Sequence, residues 1–285
     1  MIWFGPAGTA DSFAAMGYKK TTQIAEYVER MGLNAFEYQC GRGVRVNADT
    51  AAVLKAEFAK RSLRMSLHAP YYISLSGVEE DKRLASIEYI LESARAAKLL
   101  GADRIIVHSG SCSKISREQA TMLAKDTLKK AMEALDGEGL GEITVCPETM
   151  GKINQLGTLD EVLELCTVDD RLIPCIDFGH LNARTLGGMK TVDDFRLVLD
   201  SMGNVLGRDR QKVFHSHFSK IEYTENGGEK RHLTFEDKVY GPNFDPLAEL
   251  IVKYDCTPVI ICESAGTQSE DAATMKEIYL KSVTK

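Results

Sequence analysis

The residues best suited to chemistry in this chain are histidines and carboxylates that close apolar runs. Six histidines occur: His68, His108, His180, His215, His217 and His232. Leu67-His68, Val107-His108 and Phe214-His215-Ser216-His217 each end a stretch of β-forming residues. Asp177 ends Cys175-Ile176 and precedes His180, while Glu148 follows Cys146-Pro147 and Glu263 follows Ile261-Cys262. A lone histidine at a strand end is most simply a hydrogen-bonded structural residue. Carboxylates gathered at equivalent positions are harder to explain in that way. Like charges brought together in a partly desolvated place oppose one another's ionisation, and divalent cations remove that cost.

Mixed imidazole and carboxylate ligands suit Zn²⁺, with Mn²⁺ or Fe²⁺ as alternatives, better than the oxygen-only shell of Mg²⁺. A catalytic zinc takes three protein ligands, so this set is too large for one ion and implies two or more. Ions about 3.5–4 Å apart can activate a water and stabilise the leaving oxygen of a phosphodiester. His215 and His217 lie two apart and share a face of a strand. His217, nearer the strand's end, is the expected ligand, and His215 a deeper core or supporting residue.

Something must bring these strand ends together. Apolar runs near Ile2–Phe4, Leu33–Tyr38, Leu63–His68, Arg104–His108, Glu142–Cys146, Leu172–Ile176, Val213–His217 and Pro258–Cys262 read as strands. Most are separated by stretches with helical spacing, among them Lys82–Leu100 with Gly101 as its cap, Arg117–Leu135 and Thr158–Leu165, where Thr158 and Glu161 form a capping box. The polar stretch from Tyr223 to Tyr240 reads as a loop. About eight strand–helix alternations imply parallel strands and a (β/α)₈ TIM barrel, with residues 1–285 as a single domain and the chemistry at the C-terminal strand ends. A doubly wound sheet is the competing architecture, but no G-x-G-x-x-G loop follows an early strand.

Composition narrows the field. The chain is 44% hydrophobic and 27% charged with a formal net charge of −6, so a nucleic-acid partner has to be held by a local basic surface or by metal ions. Seven cysteines without a C-x-x-C pair read as reduced thiols. The start, Met1-Ile2-Trp3-Phe4, enters a strand-like run and does not read as a signal peptide, and no apolar run is long enough to span a membrane. A cytoplasmic monomer is expected.

The ordered motifs His68-Ala69-Pro70-Tyr71, Val107-His108-Ser109-Gly110, Pro147-Glu148-Thr149-Met150-Gly151, Asp177-Phe178-Gly179-His180, His217-Phe218-Ser219-Lys220, Arg231-His232 and Glu263-Ser264 resemble the endonuclease IV family over nearly the whole chain. The resemblance implies a trinuclear zinc site that cleaves double-stranded DNA on the 5′ side of abasic sites. It implies His68 and His108 on one metal, Glu148 bridging to a second held by Asp177, His217 and Glu263, and His180 and His232 on the third. Glu148 and Glu263 would be the catalytic carboxylates. Tyr71, Tyr72, Arg42 and Arg231 are candidates for DNA contacts. One departure matters: where the family reads Asp-Arg-His, this chain reads Lys230-Arg231-His232. An ammonium cannot ligate a cation, so a third metal requires Glu229, Glu236 or Asp237 to reach in.

Two other readings compete. Glu148, Asp177, His217 and Glu263 alone fit a one-metal sugar or sugar-acid isomerase or epimerase, with Glu148 and Glu263 moving a proton. That reading leaves His68, His108 and His180 without a purpose. A non-catalytic binding barrel would leave the mouth carboxylates uncompensated.

Overall fold

The computed structural model describes residues 1–112 and 114–284. Eight parallel strands form the barrel: β1 (Trp3–Pro6), β2 (Ala35–Gln39), β3 (Arg64–His68), β4 (Arg104–Val107), β5 (Thr144–Pro147), β6 (Cys175–Asp177), β7 (His215–Phe218) and, after the hairpin of β8 (Ile221–Thr224) and β9 (Gly228–His232), β10 (Val259–Cys262). Two four-stranded arcs, β1-β10-β7-β6 and β2-β3-β4-β5, are hydrogen-bonded internally. Single parallel bridges, Ala7 with Glu37 and Glu148 with Cys175, join the arcs into a ring. This is the TIM barrel expected from the alternation. Its strands are buried along nearly their whole length, as parallel strands covered by helices must be.

Local chemistry sets the helix limits. The Asn47 side chain accepts from Thr50 N at the start of helix Ala48–Lys60, and Thr158 with Glu161 forms the expected capping box of helix Leu159–Leu165. Gly101, in a left-handed conformation, ends helix Glu80–Leu100. The short helix Phe178–Arg184 is too brief to show a period in the sequence. It starts because Asp177 Oδ1 accepts from His180 N at 2.8 Å.

The reading of 223–240 as one polar loop is corrected. Part of it is the antiparallel β8–β9 hairpin, turning at Asn226-Gly227, a pair that favours tight hairpin turns. The hairpin stands outside the barrel with largely polar faces, so it shows none of the apolar alternation that marks a strand. Among the described residues, no helix is long and apolar enough to cross a membrane.

Candidate metal centre

The barrel brings the strand-end residues to one place. His68, His108, Glu148, His180, Glu229, His232 and Glu263 line a cavity of about 390 Å³ together with Tyr71, Met150, Lys152 and Gln155. Asp177 and His217 lie buried beneath it.

Glu148 is the hub. Its Oε2 lies 3.4 Å from His68 Nε2 and 3.2 Å from His108 Nε2. Its Oε1 lies 3.0 Å from His217 Nδ1 and 3.3 Å from His180 Nδ1. One carboxylate thus straddles two pairs of imidazoles, one oxygen for each. His217 Nδ1 is also 3.6 Å from Glu263 Oε1. Among the described residues four sets offer ligand atoms that all lie within 4.8 Å of one another: at the mouth, His68, Glu148 and His217; Glu148, Asp177, His217 and Glu263; and His180, Glu229 and His232; and, deeper, Cys175, His215 and His217.

Ring orientation is fixed from outside the cavity. His68 Nδ1 lies 2.8 Å from the carbonyl of Ala69 and His180 Nδ1 lies 2.9 Å from that of Thr149. A carbonyl only accepts, so each Nδ1 donates there, and each Nε2 is the nitrogen turned toward a carboxylate of the cavity. His232 Nδ1 pairs with Ser219 Oγ at 2.8 Å. A ligating histidine is ordinarily held this way, through its other nitrogen.

The hairpin supplies a carboxylate, Glu229, where Lys230 offers none. Glu222 pairs with Arg231 and Tyr223 with Glu229, so Lys230 is an extra residue bulging from β9. The bulge turns Glu229 and His232 to the same side despite their spacing of three. Glu229 Oε2 comes to 3.4 Å from His180 Nε2, and its Oε1 to 4.0 Å from His232 Nε2. Lys230 and Arg231 point outward and both bind Glu222. Asp237 turns into its own loop, accepting from the amides of Val239 and Tyr240, and Glu236 is exposed.

The DNA-contact candidates are scattered. Tyr71 is half-exposed and stacks on His108 with centroids 5.4 Å apart. Arg42 lines an adjoining cavity that shares Tyr71. Tyr72 instead packs edge-on against Tyr89 and lines a different cavity. Arg231 is engaged with Glu222 on the hairpin's outer face.

Electrostatics separate the two mouth carboxylates. Burial alone would raise Glu148, but the charge of His217 and hydrogen bonds from His108, His180 and His217 outweigh it and hold its carboxyl well below the usual range. Burial raises Glu263, helped by Glu148 and Asp177, against the opposing pull of His217 and His232. Burial pushes His215 down to about 4, so it is neutral at pH 7.

Sequence reasoning gave no role to Glu37, a fully buried carboxylate that reaches His215 and His217 from across the barrel. The available signal was a charged residue inside the apolar strand Ala35–Gln39. Lys152 was missed too. It lies in the loop after β5, where Arg184 binds the carbonyls of Met150, Lys152 and Gln155.

A family model described as xylose isomerase-like TIM barrel matches residues 25–282. An uncharacterized protein of Methanocaldococcus jannaschii is 32% identical over 280 residues, covering 97% of this chain and 96% of its own. A probable endonuclease 4 of Staphylococcus carnosus is 27% identical over 227 residues, 74% of this chain and 73% of that protein. A solved D-tagatose 3-epimerase-like protein superposes with a TM-score of 0.74 over 99% of this chain and 98% of its own, at 20% identity.

Proposed function

The chain belongs to the xylose isomerase-like TIM barrel family, and from that premise we propose that it is a metal-dependent phosphodiesterase that cleaves double-stranded DNA on the 5′ side of abasic sites. The observation that carries this reading is the third ligand set, His180, Glu229 and His232, which a one-metal site does not use. The residues present fit a group of divalent ions, Zn²⁺ foremost. Buried Glu148 Oε2 and Asp177 Oδ2 have imidazoles beside them but no aligned hydrogen bond among the described residues, and imidazole with carboxylate is a donor set that such ions take. His68, His108, Glu148, Asp177, His180, His217, Glu229, His232 and Glu263 would hold the ions. When bound, such ions supply Lewis acidity, lowering the pKa of a water and offsetting charge on the leaving oxygen.

The chain's own groups do the rest. Glu148 spans the two pairs of imidazoles and keeps them in register. Glu263, at the open side of the set, orients the attacking water. Lys152 at the cavity wall is placed to neutralise a phosphate oxygen. The Tyr71 ring, already stacked on His108, offers a face to fill the gap left by a missing base. Arg42 beside it is the phosphate contact.

A second reading has one specific support. Glu148, Asp177, His217 and Glu263 form a four-ligand group of their own, suited to one ion and to proton transfer in a sugar epimerase. Likeness of fold does not choose between the two. A side-by-side assay does, using a duplex with one abasic site and a panel of ketoses, each with the same zinc- or manganese-loaded protein. Strand cleavage without epimerisation supports the phosphodiesterase. Epimerisation without cleavage overturns it.

A further inference from the structure

Beneath the mouth lies a second polar layer, entirely enclosed. Glu37 on β2 is fully buried, with Ser66 Oγ donating to its Oε2 at 2.9 Å and Gln39 Nε2 to its Oε1 at 3.2 Å. Across the barrel, on β7, His215 Nε2 donates to Glu37 Oε2 at 3.0 Å. His217 Nε2 lies 2.9 Å from Glu37 Oε1, in an ion-pair contact that leaves this nitrogen without an aligned hydrogen bond.

A carboxylate removed from water is costly unless it is paired and hydrogen-bonded. One of the partners of Glu37 is a histidine that also faces the mouth. His217, with Glu148, is common to two of the ligand sets at the mouth. Its two nitrogens face opposite ways, Nδ1 toward Glu148 and Glu263 and Nε2 toward Glu37. A carboxylate behind a ligating imidazole draws the proton to the far nitrogen, frees the near lone pair and makes it a better donor.

We propose that Glu37, steadied by His215 and Ser66, is a positioning residue that sets the tautomer and direction of His217 and thereby strengthens the hold on the ion this histidine serves. The inference rests on the metal-centre reading above. His215 is part of the device: by donating to Oε2 it leaves Oε1 turned toward His217. Ser66, paired with Glu37 across β2 and β3, anchors the carboxylate from its own side.

The test is zinc affinity, by competition with a chromophoric chelator, together with the visible spectrum of the cobalt(II)-loaded protein. Glu37→Gln removes the charge and leaves one acceptor oxygen for two imidazoles. It is expected to weaken binding about 10–100-fold and to shift the cobalt bands. Ser66→Ala removes one anchor of the carboxylate and spares the contact with His217, so it is expected to weaken binding less than Glu37→Gln and to shift the cobalt bands in the same direction. If Glu37→Gln fails to fold, Glu37→Asp, which keeps the charge but withdraws it, is read the same way. Wild-type affinity and an unshifted cobalt spectrum in a folded Glu37 variant overturn the inference, even if that variant melts lower. Absence of zinc binding by the wild-type protein overturns the metal-centre reading first, a distinct outcome.

Discussion

Replacing Gly151 with alanine tests whether Glu229 completes a third metal set. Gly151 sits in the loop after β5, and its carbonyl accepts from Glu229 N at 3.1 Å. A methyl group there would lie 2.6 Å from Glu229 Cβ, 2.9 Å from Glu229 Oε2 and 2.9 Å from the His180 ring. Carbon atoms rest about 3.5–4.0 Å apart, so hairpin and loop must separate by about 1 Å. The contact is to Cβ, next to the backbone, and a flexible side-chain end cannot absorb it. Metal–ligand distances tolerate about 0.2 Å. The ion held by His180, Glu229 and His232 should therefore be lost, while the ions on His68, His108, Glu148, Asp177, His217 and Glu263 stay. Overpacking costs about 1–3 kcal/mol, which leaves a barrel of this size folded. Metal per chain, measured by atomic emission after dialysis, is predicted to fall by one relative to wild type, with the same loss in Glu229→Gln. An unchanged count in both variants would refute the assignment of Glu229.

Other outcomes follow from the same geometry. Lys230→Ala removes an ammonium that faces Glu222 and not the cavity, so metal content and cleavage should stay at wild-type levels. A gain of activity would mean that Lys230 opposes the centre. Chelation should lower the melting temperature, and zinc at about 100 times its Kd should restore about 2.7 kcal/mol per ion. Equal melting curves with and without metal would contradict this. Glu161 is raised by burial, but its bond to Arg117 and the amides of Thr158 and Gly157 outweigh this and bring its pKa below the ordinary value. The stability it adds is present above the unfolded pKa of about 4.3 and is lost as pH falls through the lower folded value. Urea titrations of wild type and Glu161→Gln should differ most at neutral pH and converge in acid. A gap that widens in acid would reverse the sign.

Much of the site could be read from the chain because a barrel strand ends where its chemistry begins. Val107-His108 and Cys262-Glu263 announce both an apolar strand and a polar residue at its exit, and parallel closure then brings such exits together. His180 was harder. It rides a helical turn that exists because Asp177 caps it, a contact that no periodicity reveals. The orientation of Glu229 depends on a bulge at Lys230, and bulges follow from the pairing partner, not from local preference. Glu37 escaped because its meaning lies in His215 and His217, distant in sequence and across the barrel interior. Tyr71 and Tyr72 are adjacent and look alike in sequence. Only packing against His108 or Tyr89 separates them.

The proposed reaction is tested most directly by the fate of solvent oxygen. The zinc-loaded protein is incubated in ¹⁸O-water with a duplex carrying one abasic site, and both cleavage products are weighed by mass spectrometry. Hydrolysis 5′ to the lesion predicts a single break on that side, with one ¹⁸O atom in the new terminal phosphate. A break without ¹⁸O in the phosphate, or an intact strand while a ketose is epimerised, would contradict it.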